Sequence, residues 1–309
     1  MSSTTNTAAA DPPLSGKSTG SIEPPLPVPV ATAGDLVESA KRAAGRRAVE
    51  DYLDPSYTYI GIGSGSTIKY VVEAIAEMPR AVTGRMKFVP TGTQSKGLIR
   101  EAGLRVLAID DLVLEFSEFV PGQQYIDVCF DGADEVDPEL SCIKGGGACH
   151  YQEKLVAKFS RRFVCVADYR KRVDRLLTSW AAVPIEVQPL ATEAVRRELL
   201  LLGSQKPYIR SGLPGKAGEI VTDNGNHVVD APFPPLLLST EAHRMDPAKG
   251  LWTVDALAAR IKSISGVLEV GIFTGLNGPE AREQGKGGEK PVKVYFGMKD
   301  GTVETVGSG

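Results

Sequence analysis

Asp127 to Lys154, DVCFDGADEVDPELSCIKGGGACHYQEK, decides how the rest of the chain is read. The apolar run Tyr125 to Phe130 at its start fits a buried strand. It breaks into carboxylates at Asp131, Asp134, Glu135 and Asp137, and a Leu-Ser-Cys-Ile run then leads to Lys144 and to Gly145, Gly146 and Gly147. Ala148 to Ser160 has helical character and carries Glu153. Acids at the C-terminal end of a strand, a lysine, bare backbone and another acid are a dense set of chemical tools. Ligands of open parallel sheets bind outside the carboxyl ends of the strands, so this stretch is the candidate active site.

Outward from it, strands alternate with helices. Leu36, Val37, Ala40, Ala44, Ala48 and Leu53 recur at helical spacing, which puts Lys41, Arg42, Arg46 and Arg47 mostly on other, solvated faces. Tyr57 to Ile62 reads as a strand and runs through Gly61-Ile62-Gly63-Ser64-Gly65-Ser66-Thr67 into an amphipathic helix with Val71, Val72 and Ile75 inward. A strand, a Gly/Ser turn and a helix make an anion cradle, because free N–H groups and the helix dipole favour negative charge. The plainer alternative is a tight turn with Ser66 as N-cap. The turn lacks the Gly-Lys-Ser/Thr ending of a Walker A loop, and Ser66 occupies the place of the third glycine of a dinucleotide fingerprint. The next strand, Met86 to Val89, ends in Pro90-Thr91 rather than in an acid for a ribose hydroxyl. A small phosphorylated metabolite fits better than a nucleotide.

Gln94 to Ala102 suits a helix, and Arg105 to Ile109 and Phe163 to Ala167 suit strands, the last with Asp168 and Lys171 beyond its carboxyl end. This alternation indicates βαβ units and a largely parallel sheet. From Val183 the pattern changes: strand Val183 to Val187, helix Thr192 to Leu202, then Glu219 to Thr222 and His227 to Asp230 flanking the turn Asp223-Asn224-Gly225-Asn226. Helix Val254 to Ile264 and strand Val267 to Phe273 complete a ferredoxin-like split βαβ. The fold class expected is therefore α/β, a parallel-sheet domain plus a smaller ferredoxin-like α+β domain. Its divisions are a disordered tail (1–33), a catalytic domain (34–182), the ferredoxin-like domain (183–273), a flexible loop (274–291) and a closing hairpin (292–309).

Composition narrows the function classes. The chain has 309 residues, 42% apolar and 24% charged, with a net charge of -3, which describes a globular protein with no electrostatic reason to bind nucleic acid or an anionic membrane. No apolar run approaches the ~20 residues of a membrane span. The tail is rich in Ser, Thr, Ala and Pro, with Lys17 as its only basic residue, so a secretory signal is not expected and a cytoplasmic location is. Cys129, Cys142, Cys149 and Cys165 form no CxxC pair and read as reduced thiols rather than disulfides or a zinc site. The acid run is not a calcium loop, there is no G-x-S-x-G elbow, and His150, His227 and His243 form no H-E-x-x-H motif.

What remains is acid–base work, without metal or cofactor, on a small phosphorylated substrate. Lys144 and the N–H groups of Gly145 to Gly147 can stabilise an oxyanion. Glu153 can move protons, and Asp131 and Asp134 can handle hydroxyl protons. The set suits proton transfer next to a carbonyl, hence aldose–ketose isomerisation through an enediolate. Taken singly, each residue has a plainer reading as a solvated helix glutamate, a turn-forming acid or a surface lysine; only their joint occurrence points to chemistry. Two rivals share the fold: a non-catalytic sugar-phosphate sensor, and a CoA transferase with a nucleophilic glutamate.

Gly61-Ile62-Gly63-Ser64-Gly65-Ser66-Thr67, Asp131-Gly132-Ala133-Asp134-Glu135, Ile143-Lys144-Gly145-Gly146-Gly147, Glu153-Lys154, Ala167-Asp168 with Lys171, and Val221-Thr222-Asp223-Asn224-Gly225-Asn226 together resemble type A ribose-5-phosphate isomerase. The resemblance runs from about Asp35 to Phe273. It implies a Rossmann-like catalytic domain, metal-free interconversion of ribose 5-phosphate and ribulose 5-phosphate in the non-oxidative pentose phosphate pathway, and a homodimer or homotetramer. By the same resemblance Glu153 carries the proton between C1 and C2, Asp131 assists ring opening and Asp134 lies in the sugar site. Lys144 and the glycine backbone stabilise the enediolate. Ser64, Gly65, Ser66 and Thr67, with Gly132 and Ala133, line the substrate site, Lys171 is a further contact, and Lys41 corresponds to a phosphate-facing lysine. The chain departs from the family pattern at Pro90-Thr91-Gly92-Thr93-Gln94, and at Tyr151, where a small hydroxyl residue is usual.

Overall fold

The computed structural model describes residues 33–118 and 120–307. The tail 1–33 expected to be disordered lies outside the described residues, save for Ala33 at the start of the first helix. In chain order the strands are β1 (Tyr59–Ile62), β2 (Lys87–Pro90), β3 (Val128–Asp131), β4 (Glu135–Val136), β5 (Cys142–Ile143), β6 (Phe163–Asp168) and β7 (Val183–Val187). They continue with β8 (Tyr208–Ile209), β9 (His227–Ala231), β10 (Val267–Val270), β11 (Ile272–Phe273), β12 (Lys293–Gly297) and β13 (Val303–Gly307). The α-helices are α1 (Ala33–Tyr52), α2 (Ile68–Ala76), α3 (Arg80–Thr83), α4 (Thr93–Glu101), α5 (Ile109–Leu114), α6 (His150–Lys158), α7 (Thr192–Leu201), α8 (Val254–Lys262) and α9 (Gly278–Glu283).

The larger sheet has the order β13-β12-β6-β3-β1-β2, parallel except for the β12–β13 hairpin at one edge. The parallel strands β1, β2, β3, β6 and β12 are largely buried on both faces, as parallel strands between helices require, whereas the edge strand β13 is largely exposed. Ile60, Ile62, Phe88, Phe130 and Val164 pack in one core with Ala44 and Ala48 of α1 and with Val71, Val72 and Ile75 of α2. The second sheet has the order β10-β7-β9-β8, all antiparallel. Numbered within the unit this is 4-1-3-2, the arrangement of a split βαβ. Its core joins Ile185 and Val229 to Val195 and Leu199 of α7 and to Leu257 and Ile261 of α8.

Between them lies a small antiparallel sheet, β11-β5-β4, which the sequence reading did not anticipate. It arises where the expected strand Val267 to Phe273 divides at Gly271. Gly271 N–H donates to Pro184 O at 2.7 Å, its carbonyl accepts from Lys144 N–H at 2.8 Å, and β11 then pairs with β5 instead of β7. A Cβ at position 271 would come within 2.2 Å of Lys144 O, so only glycine permits this crossing.

Three other expectations are corrected. Arg105 to Ile109 is no strand: it makes one parallel bridge, Phe88 to Val106, before Ile109 opens α5 with Asp110 and Asp111 in its first turn. Glu219 to Thr222 makes single bridges only, one of them Val221 to His227, and the strands paired with β9 are β7 and β8; the Asp223–Asn226 turn does form, closed by Thr222 N–H to Asn226 O at 2.8 Å. The segment expected as a flexible loop, 274–291, contains α9, whose Asn277 and Glu280 form a capping box and whose Ala281 is fully buried. Glu289 in the same segment pairs with Lys154 and Lys158 of α6. Among the described residues, no helix is long and apolar enough to cross a membrane.

Candidate active site

From β1 the sheet grows to β2 on one side and to β3 and β6 on the other, so the strand order reverses between β1 and β3. At such a switch point the loops leaving two neighbouring strands diverge and a crevice opens at their carboxyl ends. The turn after Ile62 and Asp131 at the end of β3 meet there. Asp131 Oδ1 accepts from the N–H groups of Gly132 at 2.7 Å and Ser64 at 3.2 Å. The carboxylate fits because position 63 is glycine: a Cβ there would lie 1.9 Å from Oδ1.

Lys144 reaches the same point from the end of β5. Its Nζ is 3.0 Å from Asp131 Oδ2 and 3.2 Å from Glu153 Oε2, and it donates to Gly132 O. Glu153, in the first turn of α6, accepts from the Ser64 hydroxyl. A buried ammonium is tolerable only when its desolvation is offset by close charge and hydrogen bonding, and two carboxylates and a carbonyl provide both. Burial opposes the Lys144 charge, but Asp131 and Glu153 outweigh it and its pKa is raised. Burial and the charge of Glu153 push Asp131 up to about 7, against the pull of Lys144. Asp134 is also raised, by burial, and accepts from Gly146 N–H at 2.8 Å.

These groups form one wall of a cavity of about 260 Å³. Ser64, Gly65, Ser66 and Thr67 line it from the β1 turn, Gly132, Ala133 and Asp134 from the β3 loop, and Lys144 to Gly147 and Glu153 from β5 and α6. Lys171 lines it from beyond β6. Asp131 lies just behind this lining, bonded to Ser64 and Lys144. Ser66 is not the N-cap of α2; Thr67 takes that place, without a side-chain cap bond, which leaves both hydroxyls on the cavity wall.

Lys41 departs from the solvated face expected of it. It is buried, and its Nζ bonds Glu38 Oε1 at 2.7 Å and Ser66 Oγ at 3.0 Å, so it backs the β1 turn rather than lining the cavity. The other three bases of α1, Arg42, Arg46 and Arg47, are exposed as expected.

The cavity also includes Ala167 and Asp168, expected only at the carboxyl end of their strand, and Gln94, Cys149 and Arg170, which the sequence does not assign to the site. Gln94 Oε1 accepts from Gly65 N–H at 2.8 Å and so holds the β1 turn from α4. Arg170 is chelated by Asp168, at 2.7 and 3.0 Å. Both follow the carboxyl ends of parallel strands, β2 and β6, and that position was the available signal. Burial, with the charge of Glu153, pushes the Cys149 thiol up to about 12, so it is no thiolate nucleophile. Tyr151, the departure on α6, is half-buried and does not line the cavity.

Residues 87–279 match the family model described as ribose 5-phosphate isomerase A (phosphoriboisomerase A). A ribose-5-phosphate isomerase of Mycosarcoma maydis is 46% identical over 268 residues, covering 86% of this chain and 80% of that protein. One of Eremothecium gossypii is 44% identical over 281 residues, covering 88% and 94%. The solved structure of ribose 5-phosphate isomerase A from Methanocaldococcus jannaschii aligns with a TM-score of 0.68 at 29% identity, covering 88% of this chain and 99% of that one. A D-ribose-5-phosphate isomerase solved in complex with phospho-erythronic acid aligns with a TM-score of 0.68 at 30% identity, covering 88% and 99%. With half or more of its residues in the family model and close relatives along most of its length, the chain belongs to the ribose 5-phosphate isomerase A family.

Proposed function

We propose that this isomerase interconverts D-ribose 5-phosphate and D-ribulose 5-phosphate through an enediolate, with Glu153 as the general base. The observation that supports this most is the position of the Glu153 carboxylate on the cavity wall, between the Ser64 hydroxyl and the Lys144 ammonium and beside the glycine loop. A carboxylate in that place takes the proton from C2 of the open-chain aldose and returns it to C1. The charge that develops on the two oxygens meets Lys144 and the N–H groups of Gly145 to Gly147, of which that of Gly146 also donates to Asp134. Asp131, held near neutrality, exchanges a proton with the ring oxygen or the anomeric hydroxyl during opening, and Asp134 orients a sugar hydroxyl. Ser64 to Thr67, Gly132, Ala133 and Lys171 hold the remainder of the sugar phosphate, and Lys41 acts on the phosphate through Ser66. Self-association as a homodimer or homotetramer and a cytoplasmic location belong to the same reading.

Glu153→Gln keeps the shape of the side chain and removes the base. Ribulose 5-phosphate formation from ribose 5-phosphate in the presence of EDTA is expected to fall by ~10²–10⁴-fold in the folded variant. Turnover near the wild-type rate would sink the base assignment while leaving the isomerase standing. Wild-type protein that binds the sugar phosphate without converting it would instead identify a sensor.

A further inference from the structure

The loop Lys144 to Gly147 carries the donors on which the enediolate reading depends, and part of what holds it comes from the ferredoxin-like unit. Directly after β8, Arg210 extends the pairing with β9 through its own N–H, which donates to Val228 O at 2.8 Å. Its guanidinium grips Asp230 of β9 in a two-pronged pair, Nε to Oδ2 at 2.7 Å and Nη2 to Oδ1 at 2.6 Å. Such a pair fixes the plane of the guanidinium. The remaining nitrogen, Nη1, donates to two consecutive carbonyls, Gly145 O at 2.8 Å and Gly146 O at 3.0 Å. Both side chains are largely buried, at 13% and 6% exposure, which separates this pair from an ordinary surface ion pair.

The carbonyl and the N–H of one trans peptide unit point in opposite directions. Gly145 O shares a unit with Gly146 N–H, and Gly146 O shares the next with Gly147 N–H. With both carbonyls turned to Arg210, both N–H groups turn away from it, towards the wall that Gly146 and Gly147 give to the cavity. Gly146 N–H meets Asp134 there. Gly145 enters the loop at a φ of +114°, a backbone conformation that favours glycine, and a Cβ at that position would strike His150 and Pro184.

Resting on the isomerase reading above, we propose that Arg210, locked by Asp230, is the positioning residue that aims the Gly147 N–H at the enediolate oxygens and holds the Gly146 N–H on Asp134. A hydrogen bond at a carbonyl also polarises the N–H of the same peptide, so Arg210 strengthens these donors as well as orienting them. A staple that merely joined the two units would carry no such effect on the transition state.

Two variants separate the possibilities. Arg210→Gln with Asp230→Asn removes the fork and leaves no unpaired buried charge; Arg210→Lys keeps a cation and loses the fork. In folded protein, checked by thermal unfolding, kcat is expected to fall ~10–100-fold in the double variant, part of the ~10²–10³ that loss of one oxyanion donor costs. Arg210→Lys is expected to fall between it and wild type. KM should stay within about threefold, because the phosphate end is held elsewhere. Affinity for phospho-erythronic acid, whose carboxylate places charge where the enediolate develops it, should fall in step with kcat, and inhibition by inorganic phosphate should not change. A folded double variant with wild-type kcat overturns the proposal. A parallel loss of kcat, KM and phosphate affinity also overturns it, by showing a general collapse of the site. If the double variant does not fold, Arg210→Lys is judged by the same readings. The underlying isomerase reading fails separately, through wild-type protein that does not turn over.

Discussion

Lys144 Nζ stands 3.0 Å from Asp131 Oδ2 and 3.2 Å from Glu153 Oε2 with only 3% of its side chain exposed, so three charges share a space from which water is nearly excluded. Removing the cation leaves two carboxylates facing each other, and breaking a buried ion pair by deleting one partner costs about 3–5 kcal/mol. Lys144→Met is therefore expected to lose stability on that order in urea unfolding. A second substitution, Asp131→Asn, should restore much of the stability, because it removes one of the stranded charges. Neither variant should recover isomerisation, since the oxyanion donor is gone in both. Recovery of activity along with stability would show that Lys144 serves the fold alone. At this scale the sequence was informative about identity: Asp131, Lys144 and Glu153 stood out by spacing and type. It marked Gln94 only as part of a departing loop and was silent on Arg170 and Arg210, which carry no motif and act through geometry. Lys41 shows the converse, since its helical position alone suggested solvent and its partner Ser66 lies 25 residues away along the chain.

The helices and most of the short apolar strands formed where their patterns indicate, but two expected strands did not and a third divided. Arg105 to Ile109 has strand-like composition but meets β2 only at a single bridge, and Glu219 to Thr222 meets β9 only at the Val221–His227 bridge, while β8 pairs with Val229 and Asp230. In both cases pairing, which depends on distant residues, overrode local propensity. The Val267 to Phe273 run divides because Gly271 is drawn between Pro184 O and Lys144 N–H. Gly271→Ala tests that junction. Its Cβ would press on the carbonyls of Lys144, at 2.2 Å, and of Pro184, at 2.8 Å. Overpacking of this kind costs typically about 1–3 kcal/mol, and here it displaces the strand that carries Lys144. Both the urea midpoint and kcat are expected to drop. A stability loss with unchanged kcat would show that β5 holds its position independently of the crossing.

Over the whole molecule, buried titratable groups set opposing pH dependences. His150 is fully buried, and burial together with the charges of Lys154 and Arg210 lowers its pKa from 6.5 to about 3. The unfolded chain binds that proton first, so the stability attached to His150 is present above about 6.5 and is lost as pH falls towards 3. Asp137 runs the other way, because burial pushes it up to about 7, and its stability is present below about 4 and lost as pH rises through 7. Thermal unfolding between pH 4 and pH 8 reads both. His150→Leu should flatten the acid arm, and Asp137→Asn, which keeps an acceptor for Ser141 and Glu139 N–H, should flatten the alkaline arm. Unchanged slopes in the variants would assign the pH dependence to other groups.

The sequence by itself determined the α/β class, the ferredoxin-like second unit, the family and the chemical tool set, because each is written in local pattern: strand runs, helical spacing, glycine turns and acids at strand ends. Tertiary structure alone decided which strands pair and which polar groups converge. The pairing of β11 with β5, the burial of Lys41 behind Ser66 and the grip of Arg210 on the glycine loop all join residues far apart in the chain. Backbone pairing and the desolvation of charge are set by what lies across space, and no local pattern records it.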